Sequence, residues 1–207
     1  MSGSRTLLIV IAVVAVLALV LVVGGTAVAG TYNSLVQLDQ TTQNAWANVQ
    51  TAYQRRMDLI PNLVASVKGA ANFEQSTLTA VTEARSRVGQ ISPQAAENIT
   101  NDPAALKRYE QAQAGLGSAL GRLIAVAEQY PQLTATQNFR DLQFQLEQTE
   151  NRIGVERRRF NEAAQAFNTR RETFPTNIIA GFFGNRFQTK AYFAADAGAE
   201  KAPEVKF

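Results

Sequence analysis

The chain has 207 residues, no Cys and no His, and 20 Lys+Arg against 17 Asp+Glu. Those two absences exclude Cys- or His-based nucleophiles, His general bases, the usual zinc, haem and iron–sulfur ligations, and a lipid-modified cysteine. The net charge of +3 falls to +2 once Arg5 is set aside, which is too weak and too interspersed for a nucleic-acid-binding surface.

Leu7 to Val23 is an unbroken apolar run of 17 residues, and Gly24 to Ala29 extends it without a charge. Roughly 20 helical residues cross a hydrocarbon core of ~30 Å, so residues 1–30 are expected to form a membrane anchor. Ala27-Val28-Ala29 also has the small-x-small pattern of a signal-peptide cleavage site. The apolar run is long for such a peptide, whose core is about 7–15 residues, so an uncleaved single-pass anchor is the reading adopted. Arg5 precedes the span and the next basic residue is Arg55, which points to a cytoplasmic N-terminus with the remainder outside.

Residues 31–173 read as four long helices. The first runs from about Tyr32 to Asp58, with rows Leu35, Thr42, Val49 and Leu38, Ala45, Ala52, Leu59, flanked by Trp46, Tyr53 and Ile60. The second runs from about Asn62 to Gln90 and places Val64, Val67, Ala71, Leu78, Val81 and Val88 on one face. Glu74 and Arg85 fall on the same inward row and predict a buried polar layer. Ser92-Pro93 ends this helix, and Asp102-Pro103 opens the third as N-cap and first helical residue. Its inward residues are Leu106, Tyr109, Leu116, Leu120, Leu123 and Ala127, and Gly115, Gly117 and Gly121 suit close helix approach. Tyr130-Pro131 breaks it. The fourth repeats Phe139, Leu146, Ile153, Phe160 and Phe167 every seven residues, with Phe174 continuing the row, a coiled-coil-like pattern.

The expected fold is therefore all-α: an N-terminal transmembrane helix, an antiparallel up-down four-helix bundle and a short tail over 174–207. In that topology the Asp58–Asn62 and Tyr130-Pro131 turns sit at the membrane-distal tip. Arg55, Arg56, Asp58 and Asn62 make the densest polar constellation. Two readings fit it: a docking surface for a protein partner, or a tight turn in which Asp58 accepts backbone N–H groups and Pro61 starts the next helix. In the tail, Phe182, Phe183, Phe187, Tyr192 and Phe193 interleave with Arg186 and Lys190. Aromatic residues mixed with basic ones suit a membrane interface, and equally a segment that folds back over the open end of the bundle.

Several separate stretches resemble the LemA family: YNSLV at 32–36, AW at 45–46, RRMDLIPNLVASVKG at 55–69 and NFRDLQFQLEQTENRI at 138–153. RRRFNEAAQAFN at 157–168, FPTNIIAGFFG at 174–184, YF at 192–193 and the closing PEVKF continue the match in order to the C-terminus. The resemblance implies a bacterial, membrane-anchored four-helix protein without an established catalytic activity. One branch of the family serves in magnetosome membranes, and relatives often neighbour membrane-protease or TPM-domain genes. Many relatives carry a lipidated cysteine near the YN motif, where this chain has Gly30-Thr31.

No nucleophile elbow, phosphate-cradling loop or singled-out carboxylate pair is present in the sequence, so neither an enzyme nor a cofactor or metal site is expected. The expected role is a membrane-anchored helical scaffold or adaptor of the cell envelope. It would contact the bilayer and a protein partner, with self-association open and no nucleic acid. The alternative is a protein that organises or remodels the bilayer directly through its anchor and tail.

Overall fold

The computed structural model describes residues 2–69, 74–91 and 99–194, and side chains from Leu7 onward. All regular structure among the described residues is helical. Ala71, Ser92-Pro93 and the closing PEVKF lie outside the described residues. The helices are α1 (Ser2–Lys68), α2 (Gln75–Gly89), α3 (Pro103–Ala127), α4 (Gln137–Glu172) and α5 (Thr176–Phe182). Single turns at Ile99–Asn101, Pro131–Thr134 and Gly184–Phe187 connect or follow them.

α1 is one continuous helix of 67 residues with Pro61 inside it. The expected turn at Asp58–Asn62 is therefore absent. The helix runs on to Lys68, so Asp58–Asn62 is not a tip between two helices. A proline in a helix interior removes one hydrogen bond to the residue four before it. Here that residue is Met57, which is half-buried, while Pro61 itself is exposed. Leu59, Ile60, Leu63 and Val67 are all buried, and their packing holds the helix through the break.

The described residues fall into two compact units. One comprises the chain up to Thr41 together with Ala166–Thr189; the other comprises Thr42–Gln165 and continues from Lys190. In the first unit, the apolar residues Leu7 to Val28 stand exposed, and this is the one helix among the described residues long and apolar enough to cross a membrane. Beyond them Leu35, Phe167, Ala180 and Phe187 form a small core with Tyr32, Val36 and Leu38 packed on it.

In the second unit, α1, α2, α3 and α4 all contribute to one buried cluster. It contains Leu59, Leu63 and Val67, Leu78 and Val81, Leu116, Leu120 and Leu123, and Phe139, Leu142 and Leu146. A second cluster gathers Trp46, Val49, Tyr53, Leu106, Ile153, Phe160 and Phe193. Burying a large apolar side chain contributes about 1.5–3 kcal/mol, so these seven-residue rows hold the unit together. Phe174, expected to extend the α4 row, is 74% exposed because α4 ends at Glu172, before the row reaches it.

Asp102 caps α3 as expected: its Oδ1 accepts from the N–H groups of Ala104 and Ala105 at 2.8 and 3.0 Å. Glu74 and Arg85 do not form an inward polar layer. Both are exposed, since α2 starts only at Gln75 and turns Thr77, Leu78, Val81, Ala84 and Val88 inward instead. Gly115 and Gly121 face open space, so close helix approach does not explain them; a Cβ on Gly117 would meet Arg56 Nη1 at 3.7 Å.

Candidate functional site

The row Leu35, Thr42, Val49 continues by sevens to Arg56 and Leu63, so α1 turns an arginine toward the core. Arg56 is buried, and its guanidinium ties three helices. Nη1 donates to both carboxylate oxygens of Glu150 on α4 at 3.0 and 3.2 Å. Nη2 donates to the Gln113 carbonyl on α3 at 3.2 Å and to the Gln113 side-chain oxygen. The group also lies 5.1 Å from the Tyr53 ring centre, a cation–π distance. Arg56 Nε and Gln113 Nε2 are buried without a hydrogen-bond partner among the described residues.

These residues edge a cleft of about 570 Å³ lined also by Lys107, Glu110 and Arg157. Arg157 pairs with Glu110 at 2.9 Å and donates to the Ala194 carbonyl at 3.1 Å. Burial pushes the Tyr53 phenol up to about 12 and raises that of Tyr109, so both stay protonated at neutral pH. The cleft thus offers hydrogen-bond donors, three basic side chains (Arg56, Lys107 and Arg157) and two carboxylates (Glu110 and Glu150). No cluster of three or more His, Cys, Asp or Glu arranged for a metal ion exists among the described residues.

The candidate partner-binding residues separate. Arg56 is committed to the interior and is unavailable for docking, because its position on the seven-residue row faces the core. Arg55, Asp58 and Asn62 are exposed on α1. Asp58 accepts from Gln54 Nε2 at 2.7 Å, an i,i+4 bond along the helix rather than a turn contact. Arg55 donates to Gln145 on α4 at 3.3 Å. It borders a shallow groove of about 420 Å³ with Phe144, Gln148 and Arg152. Phe144 is 60% exposed there.

The candidate membrane-interface residues also separate, within each unit. In the first, Phe187 is fully buried and accepts from Arg171 Nε through its carbonyl at 2.6 Å. Arg186 pairs with buried Asp39 at 3.6 Å. Phe182 is 92% exposed, and Phe183 is partly exposed. In the second, Lys190 and Phe193 are buried and Tyr192 is exposed. Lys190 donates to Asn101 Oδ1 at 2.8 Å, and the Ala191 N–H donates to the Thr100 carbonyl at 2.8 Å. Asn161 matches both polar groups of the Phe193 backbone, at 3.0 and 2.9 Å. The Phe193 ring packs on Trp46 and Phe160, with Arg157 4.8 Å from its centre. Phe187, Lys190 and Phe193 are therefore not interface residues. The Phe187 and Phe193 rings are packed in the cores, their carbonyls are taken by Arg171 and Asn161, and the Lys190 ammonium is taken by Asn101.

The sequence reading missed Gln113, Glu150, Glu156 and Phe144. Gln113 stands on the inward row of α3, seven residues before Leu120. Buried Glu156 stands seven after Thr149 on a row of α4. A polar residue at an apolar position of a seven-residue row is the signal that marks both. Phe144 carries no such signal, because one apolar residue on a polar face is common.

The LemA family model matches residues 45–207. The chain is 29% identical to the magnetosome protein MamQ 1 of Paramagnetospirillum magneticum and 28% identical to MamQ of Magnetospirillum gryphiswaldense, each over 78% of this chain and 64% of the relative. It is 30% identical to the protein LemA of Metamycoplasma hominis over 73% of this chain and 64% of that protein. The match thus spans about 64% of the length of these relatives.

Proposed function

The chain belongs to the LemA family, and on that premise we propose that it is a non-catalytic helical scaffold tethered to a bacterial envelope membrane by α1. The observation that carries this reading is the continuity of α1. One helix bears the exposed apolar run and then supplies Trp46, Val49, Arg56, Leu59 and Leu63 to a buried core. A signal peptide has no need to share a helix with the core of the mature fold. In this reading α1 crosses the bilayer once with its N-terminus in the cytoplasm. The helices α1–α4 of the second unit form an antiparallel bundle around the shared apolar cluster. The magnetosome proteins among the relatives accord with a membrane setting.

The partner docks on the Arg55–Phe144–Arg152 groove. An exposed aromatic side chain flanked by arginines is the composition of a protein-binding hot spot. The groove lining contains two arginines and no carboxylate, which favours an acidic segment with an apolar anchor residue. The cleft beside Arg56 fits a structural role, because Arg56 pairs with Glu150 and Arg157 with Glu110 across helices.

Two measurements test the parts separately. Alkaline extraction of cell membranes should leave the full chain in the pellet; release into the supernatant would refute the tether. A photo-reactive residue at Phe144 should give one discrete protein adduct in intact cells, lost in an Arg55→Glu, Arg152→Glu background. The same probe at exposed Glu83 on α2 should give none. A self-adduct would make the partner a second copy, and equal labelling at both positions would refute the groove as a docking site.

A further inference from the structure

α5 is built inside out. Its buried residues are Thr176 and Ala180, while Ile178 is 62% and Phe182 92% exposed. Residues four apart share a helix face, so Ile178 and Phe182 point outward together. Phe183 at 41% and Phe174 at 74% exposure flank α5 in sequence on either side. Grouped exposed aromatic and aliphatic side chains mark a contact surface rather than chance exposure. The small residues face the protein and the large apolar ones face away from it, the reverse of a helix covering a core.

The segment is fastened to α1 at one level. The Tyr32 ring lies 4.8 Å from Phe183 and 5.4 Å from Phe187, centre to centre. Arg186 reaches Asp39 at 3.6 Å, and Arg171 holds the Phe187 carbonyl. Gly184, at φ 53°, ends α5 in the left-handed conformation that lets the chain turn back onto this anchorage. Tyr32 comes three residues after Ala29, where the apolar run ends. At 1.5 Å per residue that is about 5 Å along the helix. A span over Leu7–Ala29 would be about 35 Å long and would fill a hydrocarbon core of ~30 Å, which puts Tyr32 in the headgroup layer. Arg170, Arg171 and Arg186 belong to the same unit and outnumber Asp39 and Glu172 there, which suits anionic headgroups.

We propose that α5 and the following turn form a second membrane contact. In it Ile178, Phe182 and Phe183 enter the headgroup–acyl boundary of the bilayer that α1 crosses. The aromatic side chains suit that layer, where such rings concentrate. This inference rests on the tether reading above, and the test keeps the two apart.

The chain has no native Cys, so single-cysteine variants carry one fluorophore each. The full chain is reconstituted into vesicles of phosphatidylcholine with a minor share of phosphatidylglycerol. Nitroxide-labelled lipids then quench the probe. Val16→Cys reports the span, Asn177→Cys reports α5 with its apolar face intact, and Ser118→Cys on α3 is the aqueous control. Deep nitroxides should quench Val16→Cys, and shallow nitroxides should quench Asn177→Cys roughly two-fold or more above Ser118→Cys, as for an interfacial helix. Adding Ile178→Ser and Phe182→Ser, which replace exposed side chains, should bring the Asn177 probe down to the control and leave Val16 unchanged. A quenched Val16 with an Asn177 probe at the control level overturns the second contact and spares the tether. An unquenched Val16 overturns the tether and the inference that rests on it. Asn177 quenching that survives the double serine substitution overturns the assignment to the Ile178–Phe182 face.

Discussion

Replacing Glu150 by Ala removes the carboxylate that accepts two hydrogen bonds from Arg56 and leaves the guanidinium in place, its side chain only 4% exposed. Breaking a buried ion pair by removing one partner costs about 3–5 kcal/mol, most of it from the stranded charge. The Glu150 side chain is 43% exposed, so solvent already screens part of this pair, and the expected cost falls to about 2–3 kcal/mol. Arg56→Met removes the larger and more buried side chain, yet it should cost less. Methionine fills similar volume, and Glu150 turns out to water. What is lost is the cation–π contact with Tyr53 and the donors to Gln113, together about 1–2 kcal/mol. With no cation to strand, adding Glu150→Ala to Arg56→Met should change stability by less than about 0.5 kcal/mol. Urea unfolding of the full chain in mild detergent, followed by circular dichroism, measures all four proteins. An Arg56→Met cost equal to or above that of Glu150→Ala, or additive single costs, would refute the stranded-charge argument.

Two further outcomes follow from the second unit. Asn161→Ala leaves the Phe193 N–H and carbonyl without their matched side chain, so stability should drop by about 2 kcal/mol and limited proteolysis should cut sooner near residues 190–194. An unchanged cleavage rate would show that the aromatic packing alone holds the tail. Burial lifts the Tyr53 phenol from 10.0 to about 12, so the folded state keeps a proton that the unfolded chain loses. Its stabilisation is therefore complete below about pH 10 and drains as the pH climbs toward about 12. Between neutral pH and about pH 11 the loss is on the order of 1 kcal/mol, and Tyr53→Phe should lack this component when both are unfolded in urea across that range.

The core was legible in the sequence because its signal is repeated. Phe139, Leu146, Ile153, Phe160 and Phe167 recur every seven residues, and all are buried, as are the predicted Trp46, Val49, Tyr53 and Leu59 of α1. The α3 start was legible for a chemical reason: Asp followed by Pro at the first helical position satisfies the free N–H groups that begin a helix. Pro61 misled the same logic. A proline three residues after Asp58 looks like the start of a new helix, but whether it breaks a helix depends on the packing around it. That packing comes from Leu63 and Val67 on α1 and from α2 and α3, at long sequence distance. The Arg56 cluster was half legible. The row that predicted Val49 also predicts that Arg56 points inward, but its carboxylate partner lies 94 residues away on α4, and no local pattern identifies it.

The tail shows where composition stops being informative. Phe182, Phe183, Phe187, Tyr192 and Phe193 are alike as aromatic residues among basic ones, yet their exposures run from nothing to nearly complete. What distinguishes the buried ones is backbone chemistry. The carbonyl of Phe187 is taken by Arg171, and both polar groups of Phe193 are taken by Asn161, so burying these residues strands no main-chain group. Phe182 ends α5 with its ring outside the small core that Phe187 fills, and no described residue of its unit covers it. The two classes should therefore separate under one alanine scan of the full chain. Phe187→Ala and Phe193→Ala should each lower stability by about 3–5 kcal/mol through lost burial. Phe182→Ala, with almost all of its ring already in solvent, should leave urea stability within about 0.5 kcal/mol and reduce only the quenching of the Asn177 probe. A Phe182→Ala variant as unstable as Phe193→Ala would mean that Phe182 is a core residue and that the outward face of α5 is covered by the protein itself rather than by lipid.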